Sequence, residues 1–206
     1  YARLRSFLKS EMIMIILMPI IGYLLGSIPF GLVLTRLLRM DDFRTTGSGN
    51  IGATNVLRTG NKKLALLTLI LDGGKGAVAV ILASILTQHD QTTMALAGFF
   101  AMLGHCFPVW INFKGGKGVA VFIGAILIMS PMTGIVFLLT WLLVAIVFRK
   151  SSLAAITAMV LSLPLLGFLG EQDTFGFTLI MVGLSLWAHR ENISRLRAGT
   201  EPKIGQ

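Results

Sequence analysis

The sequence predicts an all-α integral membrane protein with seven transmembrane helices, its N-terminus outside and its C-terminus cytoplasmic. Three observations carry that expectation. The chain of 206 residues is 54% hydrophobic and only 13% charged, with a mean hydropathy of +0.81, where a soluble domain would be about one-quarter charged. Apolar runs approaching the roughly 20 residues that a helix needs to cross a bilayer recur along the whole length. The lysines and arginines between those runs fall in alternate connectors, the asymmetry that orients membrane proteins.

Residues 1–11 are read as a basic leader, a processed or foreign start, and residues 12–206 as one helical membrane domain. The first apolar run, Met12 to Leu38, has no small-residue cleavage site before GSIPFG and is taken as a retained span. Within it Pro29 removes a backbone donor, which predicts a kink. The second run, Leu64 to Leu86, is interrupted by DGGKG at Asp72 to Gly76. Asp72 and Lys75 are three apart in an apolar setting and are expected to pair. The remaining runs are Met94–Ile111, the short Val119–Met129, Ile135–Phe148, Leu153–Leu169 and Phe175–Ala188.

Basic residues sort the connectors. Arg39, Arg44, Arg58, Lys62 and Lys63 follow the first run, Lys114 and Lys117 the third, Arg149 and Lys150 the fifth, and Arg190, Arg195 and Arg197 the seventh. QHDQTT, SPMTG and EQDT carry neither lysine nor arginine. The positive-inside rule makes every basic connector cytoplasmic. Arg3, Arg5 and Lys9 of the leader oppose this, and four agreeing connectors outweigh them. The net charge of +9 and pI of 10.3 then fit loops facing anionic headgroups. No aromatic–basic interleaving supports nucleic-acid binding. Cys106 is the single cysteine, so no internal disulfide forms.

The chemistry-bearing segments fall on that cytoplasmic side and are expected to meet around one mouth. RTTGSGNIGATNVLRTGNKK, Arg44 to Lys63, contains no acid. Its GSGN is either a flexible loop or a backbone nest for an anion. KGGKG, Lys114 to Gly118, precedes an apolar run and is either a basic turn or an anion site at a helix N-terminus. It is not a P-loop, because Val119 stands where a Ser/Thr would hold Mg²⁺. Ser151 and Ser152 open a run as N-caps by default. His189 and Asn192 share one face of any helical continuation. Neighbouring His105 and Cys106 point apart on a helix, so a packed His105 contacting a loop is expected instead of a dyad. The chain has no G-x-S-x-G, no H-E-x-x-H, no acid–histidine cluster with metal spacing, and no histidine followed five positions later by aspartate.

GSIPFG, GSGNIGATNVLR, GHCFPVWINFKGGKG and HRENI, in this order and across nearly the whole chain, resemble the bacterial acyl-phosphate:glycerol-3-phosphate acyltransferases, the PlsY family. The resemblance implies seven helices in the bacterial inner membrane and an active site facing the cytoplasm. It implies transfer of a fatty acyl group from acyl phosphate to the 1-hydroxyl of glycerol 3-phosphate. The product is lysophosphatidate, the first step of phospholipid synthesis, and an acyl-phosphate-forming enzyme is implied as a functional partner. No cofactor, metal or nucleic acid is implied. By motif, Ser48, Arg58, His189 and Asn192 match the catalytic set. Asn50, His105, Gly115, Gly116, Lys117, Gly118 and Ser152 match the substrate-binding set, and Glu191 matches a structural acid. The family often has arginine where this chain has Ala188. The absence of a nucleophile motif agrees with direct transfer, since phosphate is already a good leaving group. The alternative is a transporter or flippase for an anionic solute. Against it stand the lack of an inverted repeat and the clustering of polar motifs at one face.

Overall fold

The computed structural model describes residues 2–45 and 49–204, with side chains from residue 12 onward. All regular structure among the described residues is helical. Helix α1 (Ala2–Ser27) and α2 (Phe30–Leu37) are the first run, broken where the sequence places GSIPFG and bent there by 42°. The break exposes a carbonyl, and Lys75 from the next long helix satisfies it: its Nζ donates to Ile28 O at 2.9 Å while lying 3.0 Å from Asp72 Oδ1. The expected Asp72–Lys75 pair therefore forms and also ties the kink to its neighbour.

A five-residue helix, α3 (Ala53–Leu57), lies in the loop that follows. Phe43, Ile51 and Val56 of this loop are buried against Leu32, Leu64 and Ala65, so the polar stretch is seated on its own small core. Helix α4 (Lys62–Leu86) starts at Asn61, whose Oδ1 accepts from Leu64 N at 3.0 Å. It runs unbroken through DGGKG, as one span. The glycines serve contact: a Cβ on Gly124, in the later helix Val119–Met129, would lie 1.9 Å from Gly73 O. Small residues let membrane helices approach at backbone distance.

Helix α5 (Gln91–Cys106) begins at Asp90, whose carboxylate accepts from Thr93 N at 2.7 Å. It packs on α1, where a Cβ on Gly26 would meet Ala101 O at 1.9 Å. Then come α6 (Val119–Met129), α7 (Pro131–Phe148), α8 (Ser151–Leu169), α9 (Gln172–Ala188) and α10 (Arg190–Arg197). Helices α4 and α6, α7 and α8, α5 and α9, and α8 and α9 pack as neighbours around a core that includes Met18, Val80, Met102, Phe122, Phe137 and Met159. The outer faces stay apolar: Leu139, Leu143, Ile146 and Val147 of α7 are exposed. Among the described residues four segments (α4, α5 extended to Ile111, α7 and α8) are long and apolar enough to cross a membrane, and a fifth is if α1 and α2 form one bent span. Helix α6, with 11 residues, reaches only about 16 Å at ~1.5 Å per residue.

Candidate active site

All four basic connectors contribute to the wall of one cavity of about 410 Å³. Asn50, Thr54, Asn55 and Arg58 come from the loop around α3, and Lys117 and Gly118 from the turn before α6. Ser151 and Ser152 open α8, while His189, Asn192 and Glu201 come from the end of α9, from α10 and from the tail. The loop thus folds into a site wall, because its Phe43–Ile51–Val56 core clamps it onto α2 and α4. Ser48 lies outside the described residues.

Lys117 is the central cation. Its Nζ donates to Asn192 Oδ1, and its carbonyl accepts from Ser185 Oγ at 3.0 Å. Burial lowers its pKa to about 8, with Glu201 opposing that shift and Arg195 adding to it. His189 is only 2% exposed. Burial, reinforced by the Lys117 charge, pushes it down to about 4, so it is neutral at pH 7. Its Nδ1 lies 2.8 Å from Ser185 O. A carbonyl only accepts, so Nδ1 carries the proton and Nε2 keeps the lone pair.

Asn192 Nδ2 and Ser152 Oγ each donate to Glu201 Oε1 at 2.6 Å, and Arg195 Nε donates to Oε2 at 2.8 Å. Burial pushes the Glu201 carboxyl up, but these hydrogen bonds outweigh it and leave it below its ordinary value. Arg58 is held from below by Asn55, whose Oδ1 accepts from Nη1 at 3.4 Å. Asn50 folds back, its Oδ1 accepting from Gly52 N at 3.0 Å.

Several expectations change in detail. Gly115 N–H donates to Cys106 O at 3.1 Å and Gly116 N–H to His105 O at 2.9 Å. These two donors are committed to the end of α5 and do not point at an anion. The glycines are needed for contact, since a Cβ on Gly116 would lie 2.0 Å from His105 Nε2. Gly118 does shape the site: its φ of +80° turns the chain into α6. His105 is buried beneath this loop at the cavity wall, its Nδ1 3.7 Å from Asp72 Oδ1. Neither serine caps α8. Both stand inside its first turn, after the N-cap position at Lys150; Ser151 Oγ meets Thr54 Oγ1 at 3.3 Å and Ser152 Oγ donates to Glu201 Oε1. Glu191 is exposed, and Glu201 is the acid that joins the site residues.

Sequence reasoning missed Asn55 and Glu201. Asn55 was readable, being three residues before Arg58 and so on its face of any helix. Glu201 carries no local signal, since it stands beyond the last helix.

The opposite end of the cavity is apolar, lined by Leu69, Ile123, Leu138, Trp141 and Leu142. Leu69, Ile123 and Leu138 also border a second cavity of about 330 Å³ running past Gly73, Gly74 and Leu127. Polar cation-bearing walls thus open onto a greasy groove between α4, α6 and α7.

Fold and site together define a helical membrane protein whose lysine- and arginine-bearing pocket adjoins an apolar groove. Residues 16–199 match the family model described as glycerol-3-phosphate acyltransferase. The chain is 55% identical over 190 residues to the glycerol-3-phosphate acyltransferase of Agrobacterium fabrum, covering 92% of each chain. It is 56% identical to that of Caulobacter vibrioides, covering 90% of this chain and 85% of the relative. Its fold is similar to the crystal structure of PlsY, an integral membrane glycerol 3-phosphate acyltransferase, in its glycerol 3-phosphate form. That match has a TM-score of 0.88 and 38% identity, and covers 93% of this chain and 96% of the other. The lysophosphatidic acid form of PlsY matches with a TM-score of 0.86. The chain belongs to the glycerol-3-phosphate acyltransferase family.

Proposed function

We propose that this protein transfers a fatty acyl group from acyl phosphate to the 1-hydroxyl of glycerol 3-phosphate, releasing lysophosphatidate and inorganic phosphate without an acyl-enzyme. The observation that carries the proposal is the two-ended cavity, which joins Arg58, Lys117, Ser152, His189 and Asn192 to the apolar groove of Leu69, Ile123 and Leu138. Its polar end suits glycerol 3-phosphate and the donor's phosphate. Its apolar end suits the acyl chain. Family membership, and the glycerol 3-phosphate and lysophosphatidic acid forms of the PlsY relative, support the acceptor and the product.

Arg58 and Lys117 hold the phosphates, the arginine offering a planar fork and the lysine a point charge. Ser152, Asn192 and Ser48 orient the glycerol. The 1-hydroxyl oxygen attacks the acyl carbonyl carbon, the carbon–oxygen bond to phosphate breaks, and the proton leaves on the phosphate. His189 accepts a hydrogen bond at Nε2 to aim that hydroxyl. With a pKa of about 4 it is too weak a base to hold the proton at pH 7. Developing charge is met by the two cations, with no reorganisation needed at the moment of reaction.

The reading includes seven spans in the bacterial inner membrane, with α6 and α9 counted, the N-terminus outside and the cavity mouth on the cytoplasmic side. An acyl-phosphate-forming enzyme supplies the donor there. Detergent-purified protein given acyl phosphate and glycerol 3-phosphate is expected to make lysophosphatidate. Acyl-labelled donor alone should leave no label on denatured protein. A carrier for an anionic solute would make no product, and label on Ser48, Ser152 or Cys106 that chases into lysophosphatidate would overturn direct transfer.

A further inference from the structure

A carboxylate inside an anion-holding pocket is a cost unless it does something there, because it repels the ligand. Glu201 lines the cavity at 8% exposure, delivered by a chain reversal after α10. Gly199, at φ +73°, turns the chain, Thr200 N donates to Arg195 O at 2.9 Å, and Ile204 N donates to Arg149 O at 2.6 Å. The tail is thereby pinned at both sides of Glu201, which faces α8 through Ser152 and α10 through Asn192 and Arg195.

We propose that Glu201 is a positioning residue for Lys117, acting through Asn192. A carboxylate only accepts hydrogen bonds, so the Asn192 amide must turn its NH₂ toward Glu201. The Asn192 carbonyl oxygen is then the atom left for the Lys117 ammonium, as the contact between them shows. A flipped Asn192 would set an NH₂ group against a cation. Glu201 thus decides which end of Asn192 meets Lys117, and it does so from the segment after α10.

The same carboxylate acts on Lys117 through space. The charged groups that face Lys117 are Glu201 on the tail, Arg195 and Glu191 on α10, and Arg58 after α3, with His189 beside it at the end of α9. Among them Glu201 is the strongest influence favouring the charged ammonium. Removing its charge leaves Arg195 unpaired and the lysine more easily deprotonated.

Naming glycerol 3-phosphate as the anion rests on the acyltransferase function proposed above, whereas the Glu201–Asn192–Lys117 linkage does not. Two experiments separate them. In the first, acetic anhydride labels Lys117 across a pH series in detergent, and peptide mass spectrometry gives the midpoint without any turnover. Glu201→Gln, which keeps size and acceptor oxygen, is expected to lower that midpoint by about one pH unit, while Glu201→Asp stays nearer wild type. In the second, kcat/KM for glycerol 3-phosphate is measured for Glu201→Ala, Asn192→Ala and the double variant, each checked for a wild-type melting profile. The double variant is expected to lose less than the product of the two single losses, because part of the Glu201 effect passes through Asn192. An unchanged labelling midpoint in Glu201→Gln, or losses that multiply in the double variant, would overturn the proposal. If wild-type protein makes no lysophosphatidate, the acyltransferase reading fails and the labelling still decides the linkage.

Discussion

Arg58 and Lys117 supply positive charge to the same cavity by different means. Arg58 is braced by Asn55 at the end of a short helix, and its guanidinium presents a planar fork of donors. Lys117 is buried and sits at a pKa of about 8. Arg58→Ala and Lys117→Ala should each lose about 2 kcal/mol or more of transition-state stabilisation, roughly thirty-fold in kcat/KM. The exposed Arg197→Ala should change little. In the proposed function the charged lysine is the phosphate-holding form, so activity should be fully present well below pH 8 and fall as pH rises through about 8. Because kcat/KM reports the free enzyme, its pH profile is the measurement. Lys117→Arg should abolish that alkaline limb, and a limb that survives it belongs to another group.

At the scale of helices, glycines on facing surfaces do two different jobs. Gly124 of α6 lies against Gly73 of α4, so that any side chain there forces the helices apart. Gly74, one residue on, borders the apolar groove and has nothing within 4 Å of where a Cβ would stand. Gly74→Leu should therefore fold, helped by about 1 kcal/mol of better helix propensity, and fill the groove. Initial rates with acyl phosphates of increasing chain length are expected to fall most for the longest donors and least for the shortest. Equal loss at every length would remove the groove from the path of the acyl chain. Gly124→Ala, by contrast, should lower the melting temperature in detergent whatever the substrate.

For the whole molecule the test is topology. All four basic connectors contribute to the cavity wall, and the positive-inside rule assigns them to the cytoplasm. In a Cys106→Ala background, a cysteine at Gly60 or Thr200 should resist an impermeant thiol reagent in intact cells. One at Gln91 or Gln172 should react. The reverse pattern would put the polar mouth outside and refute the proposed localisation. Cys106 itself is buried and free, so its removal should cost little beyond packing.

The sequence by itself determined the helical class, the kink at Pro29, the Asp72–Lys75 pair and the coming together of four basic connectors. All are consequences of hydropathy, proline chemistry or charge distribution, which act over one or two turns or over whole loops. It also carried the family, through motifs spread over nearly the full chain. Only the tertiary structure decided what the glycines of DGGKG do, since Gly73 answers to Gly124 of α6 and not to its own neighbours. It likewise decided that Gly115 and Gly116 donate to the end of α5, and that Ser152 bonds a carboxylate 49 residues away instead of capping its helix. Glu201 is the clearest case. Nothing around it in GTEPKIGQ marks a site residue, because its partners lie on α8 and α10 and meet it only when the tail folds back between them.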